Sequence, residues 1–309
     1  MNNKQEKSLL EQAQVYGSLE IYAKQLVEGF ITGLHKSPFH GFSVEFAEHK
    51  LYNSGESTRH IDWKVFAKTD KLFVKRYEEE TNLRCHLLLD VSSSMYYPQD
   101  TKAKVVFSAL GAGAIAHLLQ KQRDAVGLTL FADSVSFQLP AKSTGGHLHQ
   151  LFQELERVVQ VQEKKESKTT LVKTLHNMAE TMPKRSLVVI FSDMFDNSED
   201  IQLLFGALQH IRHKRHEVIL FHVTDKSTEL RFTFEDRPYE FIDLETNEKV
   251  KVHPKQVRET YQNQMNFFYN ELKIKCGQYK IDYVEVDVKD SFDLLFTSFL
   301  AKRMSLNAR

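Results

Sequence analysis

Two rhythms of apolar and polar residues divide this chain. From Arg84 onward, near-continuous apolar runs of strand length alternate with stretches in which apolar side chains recur every three or four positions, the spacing of one helix face. Residues 83–90, 125–131, 186–191 and 217–223 read as strands. Their apolar character is nearly unbroken, as expected where both faces of a sheet are covered. Helices are predicted over about 101–123, 147–159, a stretch ending at Met182, and 200–212. The first carries Ala109, Gly111, Ala112, Gly113, Ala114 and Ala116, small residues that let a helix lie close against a sheet. Ala132-Asp133-Ser134 reads as a tight turn into a strand over 135–139.

Between Leu230 and Val252 the rhythm changes to alternation. Residues 239–244 and 249–252 flank Glu245-Thr246-Asn247-Glu248 as a β-hairpin. A long helix over 254–277 follows, with Pro254 at its start and Gly277 at its end. A strand over 281–286 and a helix over 292–302 complete the pattern. Strand–helix alternation of this kind predicts an α/β domain around a mostly parallel sheet, here 81–309 with a β-hairpin inserted near 230–253. Residues 1–80 read as an appendage packed on that domain. It has a helix near 18–33, then strands and turns through Gly41–Phe46, the turn-rich 52–57 and Arg59-His60-Ile61-Asp62-Trp63. Phe42, Phe46, Trp63, Phe66 and Phe73 are too many large apolar groups for a solvated tail.

Composition narrows the function classes. Lys+Arg and Asp+Glu both number 41, so no global field favours nucleic acid or an anionic membrane. Apolar residues at 41% and aromatics at 11% belong to a folded globule. Cys85 and Cys276 form no paired motif, which suits a reducing compartment. The first residues lack a signal-peptide apolar core, and the apolar run 107–119 is too short to span a bilayer and contains Ser108 and His117. The expectation is a soluble cytoplasmic protein without membrane insertion.

Candidate chemistry centres on His86-Leu87-Leu88-Leu89-Asp90-Val91-Ser92-Ser93-Ser94-Met95. A buried strand delivers one carboxylate and, at alternate positions, two hydroxyls to one loop. Such an all-oxygen cup suits a hard dication, Mg²⁺ or Mn²⁺. Thr169 precedes a helix, and Asp193 stands at the carboxyl end of the next parallel strand. Crossovers bring both to the edge that holds Asp90. Asp90, Ser92, Ser94, Thr169 and Asp193 then give two carboxylates and three hydroxyls, with a position left for an incoming oxygen.

That set resembles the metal-ion-dependent adhesion site of von Willebrand factor A-like domains. Tyr52, Gly55, Arg59-His60-Ile61-Asp62-Trp63, Ala67, Phe73-Val74, Glu79-Glu80, Asp90-Val91-Ser92-Ser93-Ser94-Met95, and the region from Tyr239 through Pro254 to Tyr261 resemble bacterial domain-of-unknown-function family fifty-eight. The resemblance covers nearly the whole chain after about Glu20. It implies a von Willebrand A-like, Rossmann-like fold, and a partner that is often a MoxR-type AAA+ ATPase. The chain departs from the family at Glu56, Lys68 and Lys168. The last leaves a choice between Thr169 and Thr170, and Thr169 fits the family's spacing to Leu171 and Leu175.

The function expected is therefore non-enzymatic: a metal-dependent module that binds a protein partner through an acidic side chain. The alternative is Mg²⁺-dependent phosphoryl transfer with Asp90 as nucleophile. That chemistry wants a second acid two residues on, where Ser92 stands. No P-loop, GxSxG or HExxH occurs. Arg59, Asp62 and Trp63 read as architecture, and His210, His213 and His216 as a solvated helix end rather than a metal site.

Overall fold

The structure is a computed structural model that describes residues 18–34, 49–51, 63–69, 72–75, 83–99, 101–132, 134–161, 171–183, 185–195, 201–243 and 248–307. Packing divides the chain into two units, Met1–Phe30 with Leu83–Arg309, and Ile31–Asn82. The smaller unit contains β1 (His49–Leu51) antiparallel to β2 (Phe73–Lys75), and helix α2 (Trp63–Thr69). The segment from Trp63 is thus helical, where strands and turns are expected. Phe42 and Phe46 lie outside the described residues.

The larger unit is built on a six-stranded sheet: β3 (Arg84–Asp90), β4 (Ala125–Phe131), β5 (Val135–Lys142), β6 (Leu187–Ser192), β7 (Glu217–Thr224) and β10 (Asp282–Asp287). Their spatial order is β10-β7-β6-β3-β4-β5, parallel throughout except for β5 at one edge. Renumbered within the sheet, this is the doubly wound order 3-2-1-4-5-6. The fold is α/β with a Rossmann-like strand order, the mostly parallel sheet flanked by helices that the sequence predicts. The predicted β-hairpin is β8 (Tyr239–Ile242) paired antiparallel with β9 (Lys249–Val252).

Helices cover both faces. One face carries α5 (Leu171–Thr181), α6 (Ile201–His213) and α7 (Pro254–Gln278); Leu175, Leu208 and Leu272 pack there on Leu88, Val188, Ile190 and Leu220. The opposite face carries α3 (Ala103–Lys121) and α8 (Asp293–Asn307), against Phe191 and Phe221, whose rings stack 5.0 Å apart. Alternate residues of each strand therefore serve opposite cores, which is why the runs look continuously apolar.

The small residues of α3 are used as expected. A Cβ on Gly111 would come within 2.6 Å of Leu295 Cδ1 and 3.1 Å of Phe191 Cε1. A Cβ on Gly113 would meet Phe152 Cε1, from α4 (Gly145–Gln160), at 2.8 Å. Helix α1 (Leu19–Leu34) closes this side, with Leu19, Tyr22, Ala23 and Val27 buried and Phe30 against Phe296 at 4.9 Å. Its first part therefore belongs to the main body.

At 19 residues, α3 is longer than the apolar run suggests, and by length and composition it passes the test for crossing a membrane. In the fold, 83% of that span is buried, and it serves as the central covering helix.

Candidate metal centre

β3 and β6 lie side by side at the point where the strand order reverses, so both carboxyl ends open into one crevice. Leu89 stands opposite Phe191, which brings Asp90 beside Ser192 and leaves Asp193 just past the strand end. Asp90 and Asp193 are both fully buried. The chain leaves β3 through a hydrogen bond from Val91 N to Phe131 O (2.8 Å) and turns at once into a 3₁₀ turn, Ser93–Tyr96. That turn brings the hydroxyls of Ser92 and Ser94 within 3.1 Å of each other.

Asp90 is held rigidly. Its Oδ1 accepts from Ser92 N at 2.9 Å, and its Oδ2 accepts from the Ser192 hydroxyl at 2.7 Å. Burial, and then the negative charge of Asp193, raise its pKa well above the ordinary carboxylate range. Two carboxyl groups are thus close enough to repel inside a dry crevice, with paired hydroxyls beside them.

Four residues that sequence reasoning passed over complete the surroundings. Ser192 bridges the two strand ends, since its hydroxyl oxygen also accepts from Met194 N at 2.9 Å. His222, on β7, donates from Nε2 to the Asp193 main-chain carbonyl at 2.9 Å; its Nδ1 lies 2.7 Å from the Tyr283 hydroxyl. Burial lowers the His222 pKa to about 4, so the ring is neutral.

Lys104, in the first turn of α3, is fully buried, and its Nζ lies 2.8 Å from Asp193 Oδ2. The same ammonium also pairs with Glu229. Burial works to lower the Lys104 pKa, but Asp193 and Glu229 outweigh it and the net shift is upward. Glu229 sits in a single π-helical turn, Lys226–Leu230, directly after β7. Its Oε2 accepts from Asp225 N at 2.8 Å, and burial raises its pKa despite Lys104.

Of the five site residues expected, Asp90, Ser92, Ser94 and Asp193 converge on this crevice. Thr169, like Thr170, lies outside the described residues. The donor chemistry fits a hard dication: oxygen only, with two buried carboxylates and two hydroxyls within reach, one Asp193 oxygen being paired with Lys104. Among the described residues, no group of three or more His, Cys, Asp or Glu is arranged to hold a metal ion. The histidines at the end of α6 do not converge: His210 faces His176 (2.8 Å between the two Nδ1 atoms) and Glu180, His213 is exposed, and His216 is buried rather than solvated.

Comparison with known proteins adds the following. A family model described as "Protein of unknown function DUF58" matches residues 48–267. Uncharacterized protein Rv1480 of Mycobacterium tuberculosis is 24% identical over 208 residues, which is 67% of this chain and 63% of the relative. Uncharacterized protein Mb1516 of Mycobacterium bovis gives the same figures, so the matched stretch spans 63% of these relatives' length.

Among solved structures, an aerotolerance-related membrane protein from Bacteroides fragilis is similar with a TM-score of 0.43 and 13% identity, over 72% of this chain and 99% of that one. Conserved hypothetical protein BatB from Bacteroides thetaiotaomicron has a TM-score of 0.40 and 14% identity, over 73% and 98%. The SpRpn10 VWA domain has a TM-score of 0.39 and 10% identity, over 70% and 94%. The strand order, not these likenesses, carries the fold.

Proposed function

The chain belongs to the family of proteins of unknown function DUF58, and from that premise we propose that it is a non-enzymatic interaction module, dependent on Mg²⁺ or Mn²⁺, that binds an acidic side chain of a protein partner. The partner class that suits the family is a MoxR-type AAA+ ATPase, and the compartment is the cytoplasm. One observation supports the reading above the others: two buried carboxylates beside two paired serine hydroxyls, at the carboxyl ends of adjacent parallel strands.

In this reading Asp90, Ser92 and Ser94 hold the cation from one loop, and Asp193 and Thr169 complete the protein's share. The dication supplies positive charge and an exchangeable position for an anionic oxygen. Ser192 fixes the direction of the Asp90 carboxylate. Ser92 N fixes its other oxygen. His222 pins the Asp193 main chain so that the side chain stays at the crevice. The serines contribute lone pairs without charge, so two carboxylates balance a dication, and a partner carboxylate would be held by direct coordination to the cation and not by a net positive charge. Phosphoryl transfer gains no support from the described residues, where the Ser92 hydroxyl faces the Ser94 hydroxyl and not a base.

The test is calorimetric titration of the chain with Mg²⁺, wild type against Asp90→Ala. Binding in the wild type and its loss in the variant are expected. At ten times the dissociation constant, linkage stabilises the wild type by about 1.4 kcal/mol, a modest rise in melting temperature. Equal affinity in the two proteins rules the site out.

A further inference from the structure

Lys104 is out of place for a residue that a metal site would tolerate at random. It is fully buried, and its ammonium lies 2.8 Å from an oxygen of Asp193, a carboxylate the proposed function assigns to the cation. A dication sharing Asp193 with that ammonium meets a like charge a few ångströms away. In a crevice shielded from water, such repulsion is poorly screened.

The structure also contains the offset. Glu229 reaches Lys104 from the π-helical turn after β7, held by Asp225 N on its other oxygen. That turn is itself anchored: Asp225 accepts from Ser227 N at 3.0 Å, and Lys289 Nζ lies 2.8 Å from the Ser227 hydroxyl. Glu229 is therefore positioned by a built turn and does not merely drift against a lysine.

Counting charges with Asp90 ionised, the two carboxylates give about −2, Lys104 brings the crevice to about −1, and Glu229 returns it to about −2. Resting on the metal-binding reading above, we propose that Lys104 is a built-in counter-cation that competes with the dication for Asp193, and that Glu229 restrains this competition, so the pair sets the site's metal affinity. Both are positioning residues: neither is a metal ligand. The design keeps Asp193 ion-paired in the absence of metal and makes occupancy conditional on metal concentration.

The test titrates the full chain with Mn²⁺, by calorimetry and by loss of the free-ion electron paramagnetic resonance signal. The proteins are wild type, Lys104→Met, Glu229→Gln and the double variant. Affinity is expected to follow net charge. Lys104→Met should bind at least tenfold more tightly than wild type, Glu229→Gln at least tenfold more weakly, and the double variant close to wild type. Melting without metal should show Lys104→Met as the least stable, because two buried carboxylates lose their ammonium. Should it fail to fold, the step from Glu229→Gln to the double variant carries the same test and must tighten binding.

A wild type that binds Mn²⁺ with affinity unchanged across the series overturns the competition and leaves the metal site standing. A series in which no protein binds Mn²⁺ overturns both. Binding in Lys104→Met alone supports the competition in its strongest form.

Discussion

At the scale of single residues, the fold places ionisable groups where burial decides their charge. His86, on β3, is 8% exposed and its Nε2 has no hydrogen-bond partner among the described residues. Burial first, then the charges of His216 and Arg84, lower its pKa to about 4. Between that value and the unfolded value near 6.5, the unfolded chain binds a proton that the folded chain refuses, so stability falls as pH falls through this window. About 3 kcal/mol is at stake for a shift of this size, as an order of magnitude. Urea unfolding at pH 7.5 and 4.5 should show wild type losing more stability, or gaining less, than His86→Leu on going to the lower pH, because Asp90 and His222 act alike in both proteins. Asp90 acts with the opposite sign, because its raised pKa favours the folded state as pH falls. An unchanged slope in His86→Leu would remove His86 from the account. Ser192 gives a second test at this scale: Ser192→Ala leaves a buried Asp90 oxygen without its donor, and should cost about 1–3 kcal/mol in the same unfolding measurement.

At the scale of elements, the close approach of α3 to the sheet depends on Gly111. Valine there would drive methyl groups into Leu295 and the Phe191 ring, and overpacking of this kind costs about 1–3 kcal/mol. Thermal unfolding of Gly111→Val should show it; a variant as stable as wild type would mean the contact yields freely.

The small-residue run that betrays this packing is plain in the sequence, as are the strands, because burial on both faces leaves an unbroken apolar signature. Asp90 and Asp193 are legible for a related reason: each ends such a run. Lys104 and Glu229 are not legible, since a lysine near a helix start and a glutamate in Lys226-Ser227-Thr228-Glu229 both look solvated. Their burial is created by elements far apart in the chain. One signal was available for Lys104: it heads the stripe Lys104, Ser108, Gly111 and Ile115, all buried at helical spacing. The helix Trp63–Thr69 was missed because one short helical stretch between turn-rich segments gives little periodicity to read.

At the scale of the molecule, the sheet's far side is completed from the start of the chain. Leu19, Tyr22, Ala23 and Val27 are buried within the main unit, and Leu19 N donates to Glu156 at 3.0 Å. Each large side chain so buried contributes about 1.5–3 kcal/mol. A chain beginning at Leu83 should therefore aggregate or melt well below the 309-residue chain in differential scanning calorimetry. An unchanged melting temperature would show that α1 is dispensable to the core.

The central claim is that a dication at Asp90 and Asp193 bridges this protein to an acidic side chain of its partner. Losing one buried charge-assisted contact costs roughly 2–5 kcal/mol, or about thirty- to several-thousand-fold in affinity. The decisive measurement is the affinity of the 309-residue chain for a MoxR-type ATPase in Mg²⁺ or in EDTA, for wild type and for Asp193→Ala. Chelation and substitution should weaken the complex by similar factors, and together by little more than either alone, because both remove the same bridge. A complex that keeps its full affinity through EDTA and Asp193→Ala would contradict the mechanism.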